Sequence, residues 1–136
     1  MANLTEAVID TVAFIHHLDD SLPGAAARMF RDAENGKGQL FLPEIALGEF
    51  LYVALKGRLG IPRPRAVVEE VLDHVRASGY IQLSSLGSTG WSVFLDLEVP
   101  ELHDRMIAAD AISRDVPLVS NDPELSGIRG LRRVWK

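Results

Sequence analysis

Short apolar segments alternate with helical segments along the chain, and this alternation restricts the possible folds more than any other feature of the sequence. The apolar segments have the length and composition of buried strands, at residues 7–9, 39–42, 80–83, 117–120 and 131–135. Between them, helical patterns cover residues 12–18, 22–35, 43–56, 65–77, 89–97 and 102–114. Such alternation is typical of an α/β domain whose mainly parallel sheet carries helices on both faces.

Capping residues indicate where three of these helices begin. Ser21 is the expected N-cap of the second helix, with Pro23 in its first turn. Pro43 is expected to start the third helix, because proline is favoured at the first helical position. Ser88 or Thr89 is the expected cap of the fifth.

Composition excludes several classes of protein. The 136 residues are 47% apolar and 24% charged, which is ordinary for one globular domain spanning residues 1–136. The 14 Lys and Arg residues against 19 Asp and Glu give a formal net charge of −5, which argues against binding nucleic acid through a strong overall basic charge. The chain has no cysteine, which excludes disulfide scaffolds, thiolate zinc sites and cysteine nucleophiles.

The N-terminal segment and the hydropathy pattern favour a cytoplasmic protein. Residues 1–14 carry acids where a secretory signal peptide would carry Lys or Arg. No uninterrupted apolar stretch of about 18 residues occurs, so we expect no membrane partner.

Four acidic residues lie where apolar surroundings are expected. Asp10 directly follows the first predicted strand, and Asp122 follows the fourth after one intervening residue. Glu49 and Asp104 lie on helices among apolar neighbours. Carboxylates held together near a core repel one another, and a divalent cation removes that penalty. Oxygen ligands without a histidine or cysteine set favour Mg²⁺ or Mn²⁺ over Zn²⁺.

Each acid also has a purely structural interpretation. Asp10 can cap the helix that follows it, and Asp122, which precedes Pro123, can cap another. Asp104 lies near a helix start, where the helix dipole favours a negative charge. Glu49 is the hardest to explain in this way, because its helix is otherwise nearly apolar. The joint placement of the four acids is therefore the stronger signal.

The segments that carry these acids resemble the acid-bearing blocks of the PIN domain. They are residues 8–11 (VIDT), 43–49 (PEIALGE), 102–111 (LHDRMIAADA) and 117–122 (PLVSND). The terminal residues 131–135 (LRRVW) resemble the last strand of that family. The similarity runs from about residue 7 to the end of the chain and is closest to the VapC-like toxins of toxin–antitoxin pairs.

The resemblance implies a fold and an activity. The expected fold is a PIN-like three-layer α/β/α sandwich with a five-stranded, mainly parallel sheet. The expected activity is that of an Mg²⁺- or Mn²⁺-dependent ribonuclease acting on an RNA substrate, usually a homodimer and usually held inactive by a cognate antitoxin protein. The family's catalytic and metal-binding quartet falls on Asp10, Glu49, Asp104 and Asp122. Supporting positions around the site fall on Ser120, Thr11 and Asn121.

One residue departs from the family pattern, and the histidines show no metal-binding pattern. Asp110 occupies a position where relatives commonly have a small residue, and it is predicted to pair with Arg114 four residues on as a structural contact. Surface or packing roles are predicted for the four histidines, His16, His17, His74 and His103. His103 adjoins Asp104, but adjacent helical residues point about 100° apart, so a shared metal is not expected.

Two arginine clusters and two apolar stripes complete the candidate features. The clusters are Arg58, Arg63, Arg65 and Arg129, Arg132, Arg133, and either can contact phosphates or lie solvated on the surface. The stripes are Trp91, Phe94, Leu95 and Phe50, Leu51, Ala54, Leu55. Both stripes are predicted to be core, although an exposed part of the second could serve dimerisation or an antitoxin helix.

Three other classes of α/β protein compete with the nuclease. A phosphoacceptor receiver needs an Asp after its third strand, where this chain has Ser84 and Ser85. A haloacid-dehalogenase-type phosphatase needs a second Asp two residues after Asp10, where Val12 stands. A non-catalytic PIN-fold scaffold that binds RNA or protein is the remaining alternative, and the intact quartet argues against it.

Overall fold

A single sheet of five parallel strands runs through residues 4–136, the part of the chain that the computed structural model describes. The strands are β1 (Thr5–Ile9), β2 (Gly38–Pro43), β3 (Ile81–Ser84), β4 (Leu118–Val119) and β5 (Arg133–Val134). They lie in the order β3-β2-β1-β4-β5, and every pairing is parallel. The predicted α/β architecture is confirmed, and the sheet is parallel throughout rather than mainly so.

Helices flank the sheet, in agreement with the predicted three-layer sandwich. Within the described residues they are α1 (Thr11–Leu18), α2 (Gly24–Glu34), α3 (Glu44–Leu55), α4 (Pro64–Ser78), α5 (Gly87–Asp96) and α6 (Leu102–Arg114), and a 3-10 turn (Pro123–Leu125) follows β4. Among residues 4–136 no helix is both long enough and apolar enough to cross a bilayer.

The predicted cap of α2 is wrong. This helix begins at Gly24, after Pro23 in an extended conformation, and no side chain caps it. Ser21 instead bonds the side chains of His16 and Asp19, at the end of the preceding helix. A contact with the previous helix has therefore replaced the local capping interaction expected from the sequence.

The predicted start of α5 is also wrong, and two strands are shorter than predicted. The helical turn already begins at Leu86, which has right-handed helical backbone angles, so Ser88 and Thr89 lie inside α5 rather than before it. Pro43 ends β2, and α3 starts one residue later. Strands β4 and β5 pair over only two residues each. By contrast, α6 has the predicted bounds, 102–114.

The two apolar stripes differ in burial: part of the α3 stripe lies in the core, whereas most of the α5 stripe is exposed. Phe50 and Ala54 of α3 are buried, and Phe50 packs edge to face on Phe14 with the ring centroids 5.4 Å apart. The prediction that the α5 stripe is core is wrong, because Trp91 is 47% exposed and Leu95 is 76% exposed. Helix α5 lies at the surface and packs on α6, and its only buried residue is Gly90.

The buried Asp110 and the partly exposed Arg114 form an ion pair that joins α6 to the sheet. Asp110 is 2% exposed, and its Oδ1 accepts a hydrogen bond of 2.6 Å from Arg114 Nε, as predicted from their spacing. Its second oxygen, Oδ2, accepts a bond of 2.6 Å from the Ser84 hydroxyl at the end of β3. The Arg114 guanidinium also lies 4.4 Å from the ring centroid of Phe41 on β2. Asp110 therefore holds α6 against two neighbouring strands.

Three ring side chains form a polar contact between α1, α4 and the start of β3. His17 stacks on Phe30 with centroids 4.4 Å apart, and its Nε2 lies 2.8 Å from the Tyr80 hydroxyl. His74 Nε2 lies 2.8 Å from the same hydroxyl. Burial lowers the pKa of His17 and, with the nearby charge of Glu34, raises the pKa of Tyr80 to about 12. The predicted packing role is confirmed for His17.

This contact makes folding sensitive to mild acid. Because the pKa of His17 is lower in the folded chain than its unfolded value of 6.5, the unfolded chain binds more protons below that pH. The stabilisation is complete above pH 6.5 and declines as the pH falls through the folded pKa. We expect the free energy of unfolding to fall less between about pH 7.5 and about pH 5.5 in His17→Gln than in the wild type. Urea denaturation at both pH values measures this, and parallel losses in the two proteins would contradict it.

Candidate active site

The carboxyl ends of β1 and β4 meet near the middle of the sheet. Val8 pairs with Leu118 and Ile9 with Val119, and the Asp10 amide donates a 3.2 Å hydrogen bond to the Val119 carbonyl. From β1 the chain proceeds to β2 on one side, whereas β4 is added on the other side. Open parallel sheets bind ligands at such a switch point.

Asp10 lies at this point and is nearly buried, at 9% exposure. Its Oδ1 accepts a 2.8 Å hydrogen bond from the Ala13 amide, so it does cap α1. Burial raises the pKa of the Asp10 carboxyl, hydrogen bonds from Ser120 and Ala13 oppose that shift, and the charges of Asp122 and Glu49 add to it. The capping role therefore coexists with a position close to two other candidate acids.

Ser120 and Asp122 form the β4 side of the site. Ser120 is fully buried, and its hydroxyl bonds the Asp10 carboxyl and accepts a 3.1 Å hydrogen bond from the Asp122 amide. Asp122 caps the 3-10 turn through a 2.9 Å bond from the Glu124 amide to Oδ1. Asn121 is exposed, and within residues 4–136 no hydrogen bond joins its side chain to the acids.

Glu49 reaches the site from α3. The Thr11 hydroxyl donates a 2.9 Å hydrogen bond to Glu49 Oε1, which connects the start of α1 to the middle of α3. The second oxygen, Oε2, lies 3.3 Å from His103 Nδ1 on α6. Thr11 therefore contacts one of the candidate acids directly.

Asp104 completes the group from the first turn of α6. Burial raises the pKa of its carboxyl to about 6, assisted by the negative charges of Glu101, Asp122, Glu49 and Asp10. The charges of Glu49 and Asp122 thus disfavour the ionisation of both Asp10 and Asp104, although the four acids come from four separate segments of the chain. Repulsion of this kind is common at functional sites.

Sequence reasoning missed two residues beside these acids. His103 Nδ1 lies 3.3 Å from both Glu49 Oε2 and Glu101 Oε1, so its predicted role on the surface or in packing omits a contact with a candidate acid. Glu101 caps α6 by accepting a 2.7 Å bond from the Asp104 amide. The position of Glu101 before the predicted helix start was a usable capping signal. No local pattern reveals the contact of His103, because it depends on how α3 packs against α6.

The donor set fits a hard divalent cation in its chemistry. Carboxylate oxygens are the ligands that Mg²⁺ and Mn²⁺ prefer, and among the described residues no Lys or Arg forms an ion pair with any of the four acids. Within residues 4–136, however, no three His, Asp or Glu side chains stand close enough to form a complete metal site. The acids are gathered at one edge of the sheet without being arranged as a finished coordination shell.

Some arginines of the two clusters form ion pairs on the exposed surface, and others lie close to the candidate site. Arg65 pairs with Glu69 on exposed helix surface, as the solvated interpretation predicts, and Arg132 pairs with Asp115. Arg133 donates a 3.1 Å hydrogen bond to the Ser120 carbonyl, so one cation lies directly behind the β4 side of the site. Arg58 faces a cavity next to Glu49.

The chain is thus an α/β protein with an all-parallel sheet and acidic residues near its switch point. Comparison with known proteins assigns it to a family. The family model of the PIN domain matches residues 7–131. The chain belongs to the PIN domain family.

Solved structures show the same fold at low sequence identity. The chain is similar to one in the crystal structure of VapBC2 from Rickettsia felis bound to a DNA fragment from their promoter, with a TM-score of 0.75, 15% identity and coverage of 97% of this chain and 100% of that one. It is also similar to one in the crystal structure of DNA-bound VapBC from Salmonella typhimurium, with a TM-score of 0.72, 21% identity and coverage of 96% and 98%. No curated protein matches the sequence.

Proposed function

We propose that this chain is a VapC-like toxin, a ribonuclease that hydrolyses RNA phosphodiester bonds with Mg²⁺ or Mn²⁺ bound by Asp10, Glu49, Asp104 and Asp122. One observation carries the proposal. Four carboxylates from four separate segments lie at the switch point of a parallel sheet, and the pKa of Asp104 is raised to about 6 by burial, by the charge of Glu101 and by the charges of the other three acids. Membership of the PIN domain family and the fold of the VapBC structures support it.

The protein's own residues organise the reaction. Asp10 and Asp122 present carboxylates at the ends of β1 and β4, and Ser120 orients both through its hydroxyl. Thr11 orients Glu49 across the site. A bound divalent cation supplies charge neutralisation at the phosphodiester and activation of the attacking water. With those roles assigned, no serine or histidine nucleophile is needed, and the expected products carry 5′-phosphate and 3′-hydroxyl ends.

We further propose a cognate antitoxin as protein partner, a homodimer as the assembly and the cytoplasm as the location. The support for the antitoxin is the likeness to chains of two VapBC structures. The cytoplasmic location follows from the proposed RNA substrate.

The test is cleavage of total cellular RNA by the purified chain with Mn²⁺, with Mg²⁺ and with EDTA. We expect cuts with either metal and none with EDTA, and the 5′-phosphate ends, once mapped, identify the target. An Asp10→Asn variant is the control, because asparagine also caps helices and so preserves the local structure at α1. Cuts by the purified chain that persist both in EDTA and in Asp10→Asn would be independent of metal and of the acid cluster and would contradict the proposal.

A second candidate function is that of a non-catalytic PIN-fold scaffold that binds RNA or protein. The lack of a complete metal site among the described residues favours it. A chain that neither cleaves RNA nor binds Mn²⁺ in calorimetric titration would be such a scaffold. Saturable Mn²⁺ binding that Asp10→Asn weakens would support the nuclease instead.

A further inference from the structure

A second recognition surface adjoins the acid cluster. A cavity of about 420 Å³ lies beside Glu49 and His103, and its other lining residues include Gly48, Tyr52 and Arg58. Its volume falls within the range of about 300–1,000 Å³ that is typical of clefts for small ligands. The cavity and the acid cluster share Glu49, so whatever occupies the cavity lies directly next to the proposed reaction.

Tyr52 presents an aromatic ring to this cavity. Tyr52 is 56% exposed and lies on α3, about one turn after Glu49. Lys56 Nζ lies 5.4 Å and Arg58 Cζ 6.0 Å from the centre of its ring. Cation–π contacts at exposed sites are weak, so these long side chains can move aside for a ligand.

Gly48 lines the cavity and has no side chain to fill it. It lies in the middle of α3, where glycine weakens a helix, and a Cβ placed on it meets no atom within 4 Å. The space above Gly48 is therefore solvent rather than packed side chain. A larger side chain here would project into the cavity while improving the intrinsic helix propensity of α3.

We propose that Tyr52, Lys56 and Arg58 bind an unpaired RNA base and its flanking phosphates, next to the phosphodiester that is cut. This inference rests on the proposed ribonuclease function and specifies its substrate as single-stranded RNA. An exposed aromatic ring stacks on a base of any sequence, and neighbouring cations contact the backbone. On a chain of net charge −5, such local cations offset the repulsion that RNA meets at the acid cluster.

The experiment measures RNA binding apart from cleavage. The full chain carrying Asp10→Asn is titrated, with Mg²⁺ present, into fluorescein-labelled oligouridylate, oligoadenylate and the duplex of the two, and fluorescence anisotropy is recorded. We expect Tyr52→Ala in this background to weaken binding of either single strand by about 5- to 30-fold, with little effect on the duplex. Tyr52→Phe keeps the stacking face and is expected to bind within about twofold of the parent.

Two further variants separate recognition from folding. Gly48→Leu places a larger side chain in the cavity, against Tyr52 one turn further along α3, without lowering the helix propensity of α3, and we expect it to weaken single-strand binding as Tyr52→Ala does. Leu55→Ala removes another exposed apolar side chain of the same helix, and we expect affinity within about twofold of the parent.

The possible outcomes distinguish this inference from the function on which it rests. If the wild type cleaves RNA but Tyr52→Ala binds single strands as tightly as the parent, the base site is wrong and the nuclease stands. If the parent binds no RNA and the wild type cleaves none, both fail. A third outcome is that Tyr52→Ala leaves RNA affinity unchanged but abolishes self-association of the chain in sedimentation. That result would assign the surface to a second copy of the chain and overturn the proposal.

Discussion

Asp104→Asn is expected to lower the rate of RNA cleavage by at least about 100-fold while leaving the fold intact. Changes to groups that merely support a metal ligand already reduce activity by about 10- to 100-fold, so loss of a ligand carboxylate has at least the larger effect. The side chain of Asp104 makes no cap of its own, because Glu101 caps α6. A time course of cleavage of a mapped RNA substrate at saturating Mg²⁺ measures the loss.

The same variant is expected to be no less stable than the wild type above about pH 6. The folded pKa of Asp104 is raised from 3.8 to about 6, so its ionised form is disfavoured by folding. This destabilisation develops as the pH rises from 3.8 to about 6 and persists above that range. Because the carboxyl is partly exposed, solvent screening limits the effect to about 1 kcal/mol or less. Thermal unfolding without metal at about pH 7.5 should therefore show an equal or higher midpoint for Asp104→Asn.

A matched control separates the site from a general effect of charge. Asp73 is an exposed aspartate on α4 that pairs with the exposed Arg76, three residues on. Asp73→Asn removes the same charge and is expected to cleave RNA at about the wild-type rate. If Asp104→Asn also cleaved at that rate, the acid cluster would have no part in catalysis.

Asp110→Ala is expected to lower the free energy of unfolding by about 3 kcal/mol. It removes the buried carboxylate of an ion pair and leaves both the partly exposed Arg114 guanidinium and the Ser84 hydroxyl without their acceptor. Breaking one side of a buried pair has an effect of this size, because the remaining polar groups lose their compensation. Urea denaturation followed by circular dichroism measures the loss.

The control has the same chemistry and spacing at the surface. Arg65 and Glu69 also form an arginine–carboxylate pair four residues apart, with an N–O distance of 2.8 Å, but both side chains are largely exposed. Glu69→Ala is expected to lower the free energy of unfolding by less than about 1 kcal/mol. Equal losses of unfolding free energy in Asp110→Ala and Glu69→Ala would mean that the burial of Asp110 contributes nothing to stability.

The framework of the fold could be predicted because it depends on local patterns. Hydrophobic periodicity located every strand and the bounds of α6, and the spacing of Asp110 and Arg114 predicted their ion pair. The start of α2 could not be predicted, because Ser21 bonds His16 and Asp19 of the preceding helix instead of capping. Periodicity likewise cannot say whether an apolar stripe is covered, and that of α5 is exposed.

The candidate site was predictable to the extent that strand ends define it. Asp10 and Asp122 follow strands whose carboxyl ends must meet at one sheet edge, so their proximity follows from the topology. Glu49 and Asp104 stood out by their apolar helical neighbours, but their assignment to the same quartet as the strand-end acids rested on the resemblance to the PIN domain, since helix patterns do not specify which residue faces the sheet edge. The contact between His103 and Glu49 depends on the packing of α3 against α6, which no spacing in the sequence encodes.

The central pairing of β1 with β4 has a consequence for biosynthesis. Val8 leaves the ribosome long before its partner Leu118, because the two lie far apart along the chain, so this pairing cannot form until β4 has been synthesised. Asp10 and Glu49 emerge before Asp122, which joins them only after β4 has docked beside β1. A growing chain therefore carries no complete acid cluster until β4 has left the ribosome.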